Sequence, residues 1–374
     1  MESWTGKHPN SIFRVNVTPA GISVCIATCG GVSDLDRALG SVLAQEVDCA
    51  IEVWVVDNAS TDGTVDMVRK KYPKVKILTN TRNLGYSRAI NQAAAGATGH
   101  WLLFLSSDAD LGPASLGTML EFARTHERVG ALGPQTVDSN GEFVTSTHHP
   151  SLLLSVFAEL TGMHRRLRRA GKIRAVLGAL LPNSSGLTSD YMTDRQVKVI
   201  DGGCLLVNSE AFRSVGGLDP MIPQGPDDYD LCHRLRSAGF EIWFVAAAQA
   251  THRSSNKGDP TAMTPTYLRT FVPEVCYFYA KHGGAVKRIA ARIIAVQLLR
   301  KYLFAVKRAE DSQSERVAAI EDALAACGSS DKYISLIERD WGPRPLMSWQ
   351  PTSAISPQSS GSAGAANGPI GRER

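Results

Sequence analysis

Five apolar residues, Trp101 to Leu105, follow one another without a polar interruption and end in Ser106-Ser107-Asp108-Ala109-Asp110. Such a run reads as a strand buried on both faces, as in the middle of a parallel sheet. Ile22 to Ala27, Ile51 to Val56 and Val75 to Leu78 have the same character. Between them the pattern turns helical. Leu35, Ala38, Leu39, Val42 and Leu43 share one stripe, Val65 to Lys71 opens after a polar turn and stops before Pro73, and a helix runs from Tyr86 through Ala97. Four strand–helix repeats predict an α/β fold with a parallel sheet and right-handed crossovers.

Beyond Asp110 a helix is expected between Pro113 and Gly130, then a strand over Val129 to Gln135. Core-like runs return at Val197 to Ile200 and Leu205 to Val207, and a further strand is expected at Ile242 to Ala246. Leu231, Leu235 and Ala238 set a helix that begins near Asp228 and ends at Gly239. From Thr264 to Trp341 the pattern is helical throughout. The organisation that follows is a flexible N-terminus over 1–20, a catalytic domain over 21–260 with a basic helical insertion at 151–190, a helical C-terminal region over 261–342, and a disordered Ser/Gly/Ala/Pro-rich tail over 343–374.

Composition narrows the partners. A chain of 374 residues, 43% hydrophobic, suffices for one large core or two smaller ones, and a net charge of +4 argues for no nucleic-acid partner. Seven scattered cysteines without C-x-x-C predict buried thiols in a reducing, cytoplasmic setting. Met1 to Ala20 has no apolar stretch behind a basic start, and no window approaches the ~18 uninterrupted apolar residues of a spanning helix. Neither a signal peptide nor an integral membrane protein is expected. Charge is nevertheless concentrated locally, in Ser151 to Leu181 and in Ala285 to Arg308. Each segment has two readings: helices packed on the core with their charges in water, or a peripheral surface for anionic lipid or, in Ser151 to Leu181, for diphosphate.

Candidate chemistry gathers at strand ends, where open α/β sheets bind their ligands. Asp108 and Asp110, one residue apart, would face one hard divalent cation, Mg²⁺ or Mn²⁺, if the chain stays extended between them; two solvated loop aspartates are the plainer reading. The acidic cluster Asp227-Asp228-Tyr229-Asp230 suits a helix N-terminus in any protein. His252 lies in a polar loop after the last expected strand. The first loop, Thr28-Cys29-Gly30-Gly31, lacks G-x-G-x-x-G, which counts against a dinucleotide oxidoreductase.

Five motifs in order give these candidates a context. Val55-Val56-Asp57-Asn58-Ala59-Ser60-Thr61-Asp62-Gly63-Thr64, Arg82-Asn83-Leu84-Gly85-Tyr86, Ser107-Asp108-Ala109-Asp110, Gly216-Gly217-Leu218-Asp219 and Asp227-Asp228-Tyr229-Asp230-Leu231-Cys232-His233-Arg234-Leu235 together resemble family 2 glycosyltransferases. These are inverting enzymes of GT-A type, and within them the chain looks most like bacterial rhamnosyltransferases of cell-wall and O-antigen assembly. The resemblance runs from about Gly21 to Lys257 and implies a Rossmann-like central sheet flanked by helices. It implies that Thr28, Asp57, Arg82, Asn83 and Asp108 bind the nucleotide-sugar, Asp57 by accepting the N3–H of uracil or thymine. It gives Asp108, Asp110 and His252 to the metal, although Asp110 stands where many relatives carry Glu or another residue. It makes Asp228 the catalytic base and gives Gly202, Gly203 and Asp227 to the acceptor, with Asp227 standing in place of a longer Glu.

The implied donor is a dTDP- or UDP-linked sugar, rhamnose first, and the implied acceptor a polyprenyl-linked or polysaccharide hydroxyl. The competing reading is a non-catalytic GT-A module that binds nucleotide-sugar within a membrane assembly.

Overall fold

The computed structural model describes residues 21–144, 146–148, 192–253, 265–309 and 314–343. The N-terminal segment 1–20, the basic segment Ser151 to Leu181, the loop Ser254 to Lys257 and the tail beyond Pro343 lie outside the described residues.

Three of the apolar runs become inner strands of one ten-stranded sheet, whereas Val75 to Leu78, expected to be buried on both faces, falls in its edge strand, which is largely exposed. β1 (Ile22–Thr28), β2 (Ile51–Asn58), β3 (Lys76–Asn80) and β4 (Trp101–Ser106) are parallel neighbours in the order β3-β2-β1-β4. Their crossovers are α1 (Val32–Leu43), α2 (Thr64–Lys71) and α3 (Tyr86–Gly96). Alternate residues of β4 feed two different cores. Leu102 and Phe104 pack with α3, while Leu103 and Leu105 pack with α1, which is why the strand has no polar face.

The second half of the sheet is mixed rather than largely parallel. β5 (Ala109–Leu111), α4 (Ser115–Arg124), β6 (Val129–Val137), β7 (Phe143–Val144), β8 (Arg195–Gln196) and β9 (Cys204–Asn208) follow in the chain. β9 starts where β4 ends, with Cys204 opposite Leu105, and therefore runs back antiparallel between β4 and β6. After α5 (Ser209–Ser214) and α6 (Asp227–Ser237) comes β10 (Glu241–His252), parallel to β6 and antiparallel to β5.

β10 is longer than the apolar run Ile242 to Ala246 suggests. An irregularity between Val245 and Gln249 absorbs the alanines, after which Ala250, Thr251 and His252 pair with Leu111, Asp110 and Ala109. His252 thus sits on a strand and not in a loop.

Four helices complete the described chain: α7 (Pro265–His282), α8 (Ala285–Ala309), α9 (Glu315–Gly328) and α10 (Ser330–Trp341). Val275 and Phe278 of α7 join the core that holds α3 and α6, while α7, α8 and α9 share a cluster of their own. None of the seven cysteines is paired. No described helix is long and apolar enough to cross a membrane.

Candidate active site

The C-terminal ends of β1, β2 and β4 bring the first group of residues to one edge. Thr28 and Asp57 are direct partners across β1 and β2, and both are buried. Asp57 closes a turn on itself, accepting the Ser60 backbone N–H at 3.2 Å and the Ser60 hydroxyl. A carboxylate has about four lone-pair sites, so acceptor capacity remains for a base N–H. Asn83 reaches over the same edge, its Nδ2 donating to Cys29 Sγ at 3.5 Å. Burial, then the neighbouring Asp57, push the Cys29 thiol up, with Asn83 opposing. Arg82 is exposed and lies so close to Gly342, after α10, that a Cβ there would collide with its guanidinium.

The second group forms an alternating series of carboxylates and imidazoles. Asp108 Oδ1 lies 3.2 Å from His252 Nε2. His252 Nδ1 lies 4.0 Å from Asp201 Oδ1, Asp201 Oδ2 lies 3.2 Å from His148 Nε2, and His148 Nε2 lies 3.9 Å from Asp228 Oδ2. Gly203 makes the middle of this series possible. A Cβ on it would stand 2.8 Å from His252 Nδ1 and 2.9 Å from Asp201 Oδ1, so any side chain would force the two apart. Gly202 donates its N–H to Asp228 Oδ2 at 3.3 Å, and its own absent Cβ would face Asp228 and Asp227. Asp228 also accepts the Tyr229 N–H at 2.7 Å, at the first turn of α6.

Asp110 is drawn elsewhere. A turn occupies Ser107 and Asp108, so the alternation of a single strand does not carry across from one carboxylate to the other. Asp110 pairs with Arg253 through Oδ2, and its buried Oδ1 has no partner among the described residues.

A divalent ion fits two of these donors well. Ligand atoms 3.2 Å apart, as in Asp108 and His252, subtend close to a right angle at an ion about 2.1 Å from each, the cis geometry of an octahedral site. An imidazole in the pair suits Mn²⁺ better than Mg²⁺. Among the described residues His148, Asp201 and Asp228 also offer ligand atoms within 4.8 Å of one another.

Behind the series, α3 grips the segment that leads into α6. The Tyr86 N–H donates to Pro223 O at 2.6 Å, the Arg88 Nε to Pro220 O at 2.9 Å, and Asn91 exchanges hydrogen bonds with Leu218 at 2.7 and 2.9 Å. Gly85, at φ 85°, allows this approach: a Cβ would stand 2.8 Å from the Pro223 carbonyl oxygen. The two sequence motifs Arg82 to Tyr86 and Gly216 to Asp219 are therefore flanks of a single clamp.

The profile described as Glycosyl transferase family 2 matches residues 23–215. The chain belongs to that family. A curated relative of this family 2 glycosyltransferase, the N-acetylglucosaminyl-diphospho-decaprenol L-rhamnosyltransferase of Mycobacterium tuberculosis, is 32% identical over 239 residues, covering 59% of this chain and 72% of the relative. The succinoglycan biosynthesis protein ExoO of Rhizobium meliloti is 32% identical over 125 residues, 33% of this chain and 34% of that protein. Among solved structures, S. aureus TarS 1-349 in complex with UDP-GlcNAc matches at TM-score 0.49 and 17% identity, covering 84% of this chain and 83% of that one. The mannosyltransferase PcManGT from Pyrobaculum calidifontis, in complex with GDP-Man and Mn²⁺, matches at TM-score 0.46 and 16% identity, covering 86% of each chain.

Four residues of this family 2 chain escape sequence reasoning. His148 and Asp201 lie 53 residues apart and meet through the bridge between Thr147 and Ile200. Tyr86 places its hydroxyl 3.4 Å from Gly202 O; burial, then Asp227, raise it well above the ordinary phenol range. Glu274, fully buried on α7, has no well-formed hydrogen bond to either carboxyl oxygen among the described residues. It abuts Gly225, where a Cβ would collide with it. Burial pushes its pKa well up, Asp227 adds to the rise, and the Gln224 backbone opposes it. One acid among Val272, Pro273, Val275 and Cys276 is the signal that marks it.

Proposed function

We propose that the chain is an inverting glycosyltransferase that moves a sugar, rhamnose first, from a dTDP- or UDP-linked donor to a hydroxyl of a polyprenyl-linked or polysaccharide acceptor. The observation that carries the reading is that Asp108, at the end of β4, and Asp228, at the start of α6, are the two ends of one series of close contacts through His252, Asp201 and His148. The printed name of the mycobacterial relative supports rhamnose and a lipid-linked acceptor. Such an acceptor would be met at the inner face of a membrane, to which the protein would bind peripherally.

In this reading Thr28 and Asp57 hold the base, Asn83 and Arg82 face the ribose or diphosphate, and Asp227 with Gly202 and Gly203 lines the acceptor side. Asp228 takes the proton of the acceptor hydroxyl as its oxygen attacks the anomeric carbon from the face opposite the diphosphate. The bond from that carbon to the diphosphate oxygen breaks, its electron pair leaves with the nucleoside diphosphate, and the configuration inverts. Asp108 and His252 would hold Mg²⁺ or Mn²⁺, which when bound supplies charge neutralisation to the leaving diphosphate. An ion between His148, Asp201 and Asp228 would favour the charged carboxylate and so weaken Asp228 as a base, which sets that site in competition with the catalytic role.

The test is transfer or hydrolysis of dTDP-rhamnose and UDP-sugars with and without Mn²⁺, with Mn²⁺ binding measured in parallel. Asp108→Asn is expected to abolish transfer and Mn²⁺-dependent nucleoside diphosphate binding while the protein stays folded. Full activity in EDTA would sink the metal assignment, and Mn²⁺ binding lost in His148→Ala but kept in Asp108→Asn would move it to the other set.

A further inference from the structure

Helix α8 has apolar residues on two opposite sides. Ala291, Ala295, Leu299 and Val306 are buried, Ala291 in the core that holds α3 and α6 and the other three in the cluster shared with α7 and α9. At 3.6 residues per turn, Val286, Ile289, Ile293 and Phe304 fall on the far side. They are 81%, 58%, 57% and 65% exposed. The sequence pattern suggests one apolar face and one charged face; the structure spends only part of the apolar content on the core. Exposed apolar groups in line along a helix, about 27 Å from first to last at 1.5 Å per residue, are unusual on a surface that meets only water.

On the helix itself the charge is of one sign. Ala285–Ala309 contains seven Lys and Arg and no Asp or Glu. Lys287, Arg300 and Lys301 are exposed beside the apolar line, and Lys307, also exposed, pairs with Glu321 of α9. A second copy docked on the same face would set these cations against their own kind. A planar anionic layer with an apolar interior meets both features at once: the aliphatic side chains and Phe304 enter it, and the cations lie among its headgroups.

We propose that the outer face of α8 docks the protein on an anionic lipid surface, with the helix axis in the headgroup plane. The inference rests on the glycosyltransferase reading for its purpose, since a polyprenyl-linked acceptor is met at a membrane. Its measurement involves no sugar transfer.

The full chain is floated with phosphatidylglycerol–phosphatidylcholine vesicles and with phosphatidylcholine vesicles, at low and high salt. It is expected to float with the anionic vesicles at low salt and to be released by high salt. Val286→Ser, Ile289→Ser, Ile293→Ser and Phe304→Ser combined keep every cation and change only exposed positions, so circular dichroism and the melting temperature should match the parent. That variant should lose roughly tenfold or more in vesicle binding. Failure of the parent to float at low salt would overturn the proposal, as would equal flotation of the folded variant. A concentration-dependent dimer abolished by the same variant would assign the face to a second copy and overturn it too. Flotation without sugar transfer from any donor would leave the docking face standing and remove the catalytic reading alone.

Discussion

Asp228 is held by two backbone donors, Tyr229 N at 2.7 Å and Gly202 N at 3.3 Å, and an amide in its place keeps an acceptor for the first. Asp228→Asn should therefore leave the fold and donor binding nearly unchanged. If Asp228 is the base, kcat falls by roughly 10² to 10⁴; a variant with near-normal kcat would pass the role to another carboxylate. Glu274 makes the opposite kind of statement, about stability. Its carboxyl is buried without good partners, so the folded chain keeps a proton that the unfolded chain releases near pH 4.3. Between that pH and its raised folded value the unfolded state binds fewer protons, and stability falls as pH rises. Glu274→Gln should flatten that slope, be at least as stable as the parent at mildly alkaline pH, and show no advantage in acid. Urea denaturation across pH reads this directly, and an unchanged slope would show that Glu274 is solvated in the folded protein. Asp57, Asp108 and Asp228 were legible because each ends an apolar strand or opens a helical stripe. His148 and Asp201 were not, because a pairing between Thr147 and Ile200 that no local pattern announces brings them together.

Among the elements, α3 carries the largest share of the positioning. Its first turns hold the Leu218 to Pro223 segment, and Arg88 donates to Trp341 O and Gly342 O at 2.7 Å as well as to Pro220 O. Burial pulls the Arg88 pKa down, and Arg82 adds to the fall. Arg88→Met would leave four carbonyls, those of Pro220, Trp341, Gly342 and Pro343, without their donor, at about 1–3 kcal/mol for each that stays buried. A loss of roughly 3–5 kcal/mol in urea denaturation is expected, with α10 the first helix to exchange its amide hydrogens. Uniform exchange would mean that α10 is held by its apolar side chains alone. The strands of the first half could be read from their apolar runs. The last third of β10 could not, because its alanines, Gln249 and Thr251 carry no strand pattern and are fixed by pairing with β5 and β6.

The whole molecule is joined across α6 and α7 by a buried ionic group. Asp230, fully buried, accepts from Lys281 at 2.7 Å and from Arg234 Nε at 2.7 Å, and lies 2.6 Å from His282 Nε2. Burial would raise its pKa, yet His282, Arg234 and Lys281 together hold it well below the ordinary carboxylate value. A depressed folded pKa gives stability that is present above the unfolded pKa, near 3.9, and lost as pH falls through the folded one. Asp230→Asn should cost roughly 3–5 kcal/mol at neutral pH by removing the buried charge that Arg234 and His282 face, although Lys281 keeps Asp219 at 2.7 Å, and the difference should shrink in acid. Denaturation at pH 7 and in acid well below the ordinary carboxylate range checks both halves, and an equal loss at the two would refute the ionic account. The sequence shows the acidic cluster at the start of α6 but gives no sign that one member turns inward to α7 rather than to substrate.

The bonds of Arg88 to the end of α10 also set an order of events at the ribosome. Arg88 is made 253 residues before Trp341, an interval of about 10 to 50 s at roughly 5–20 residues per second. β10 ends at His252, so only in the last part of that interval are all the strands from β1 to β10 available to assemble while the cation at their edge waits for its last acceptors. Translation that stops short of Trp341 would release a chain with every strand of the sheet but with this cation unsatisfied, a species that cellular proteases can distinguish from the finished protein.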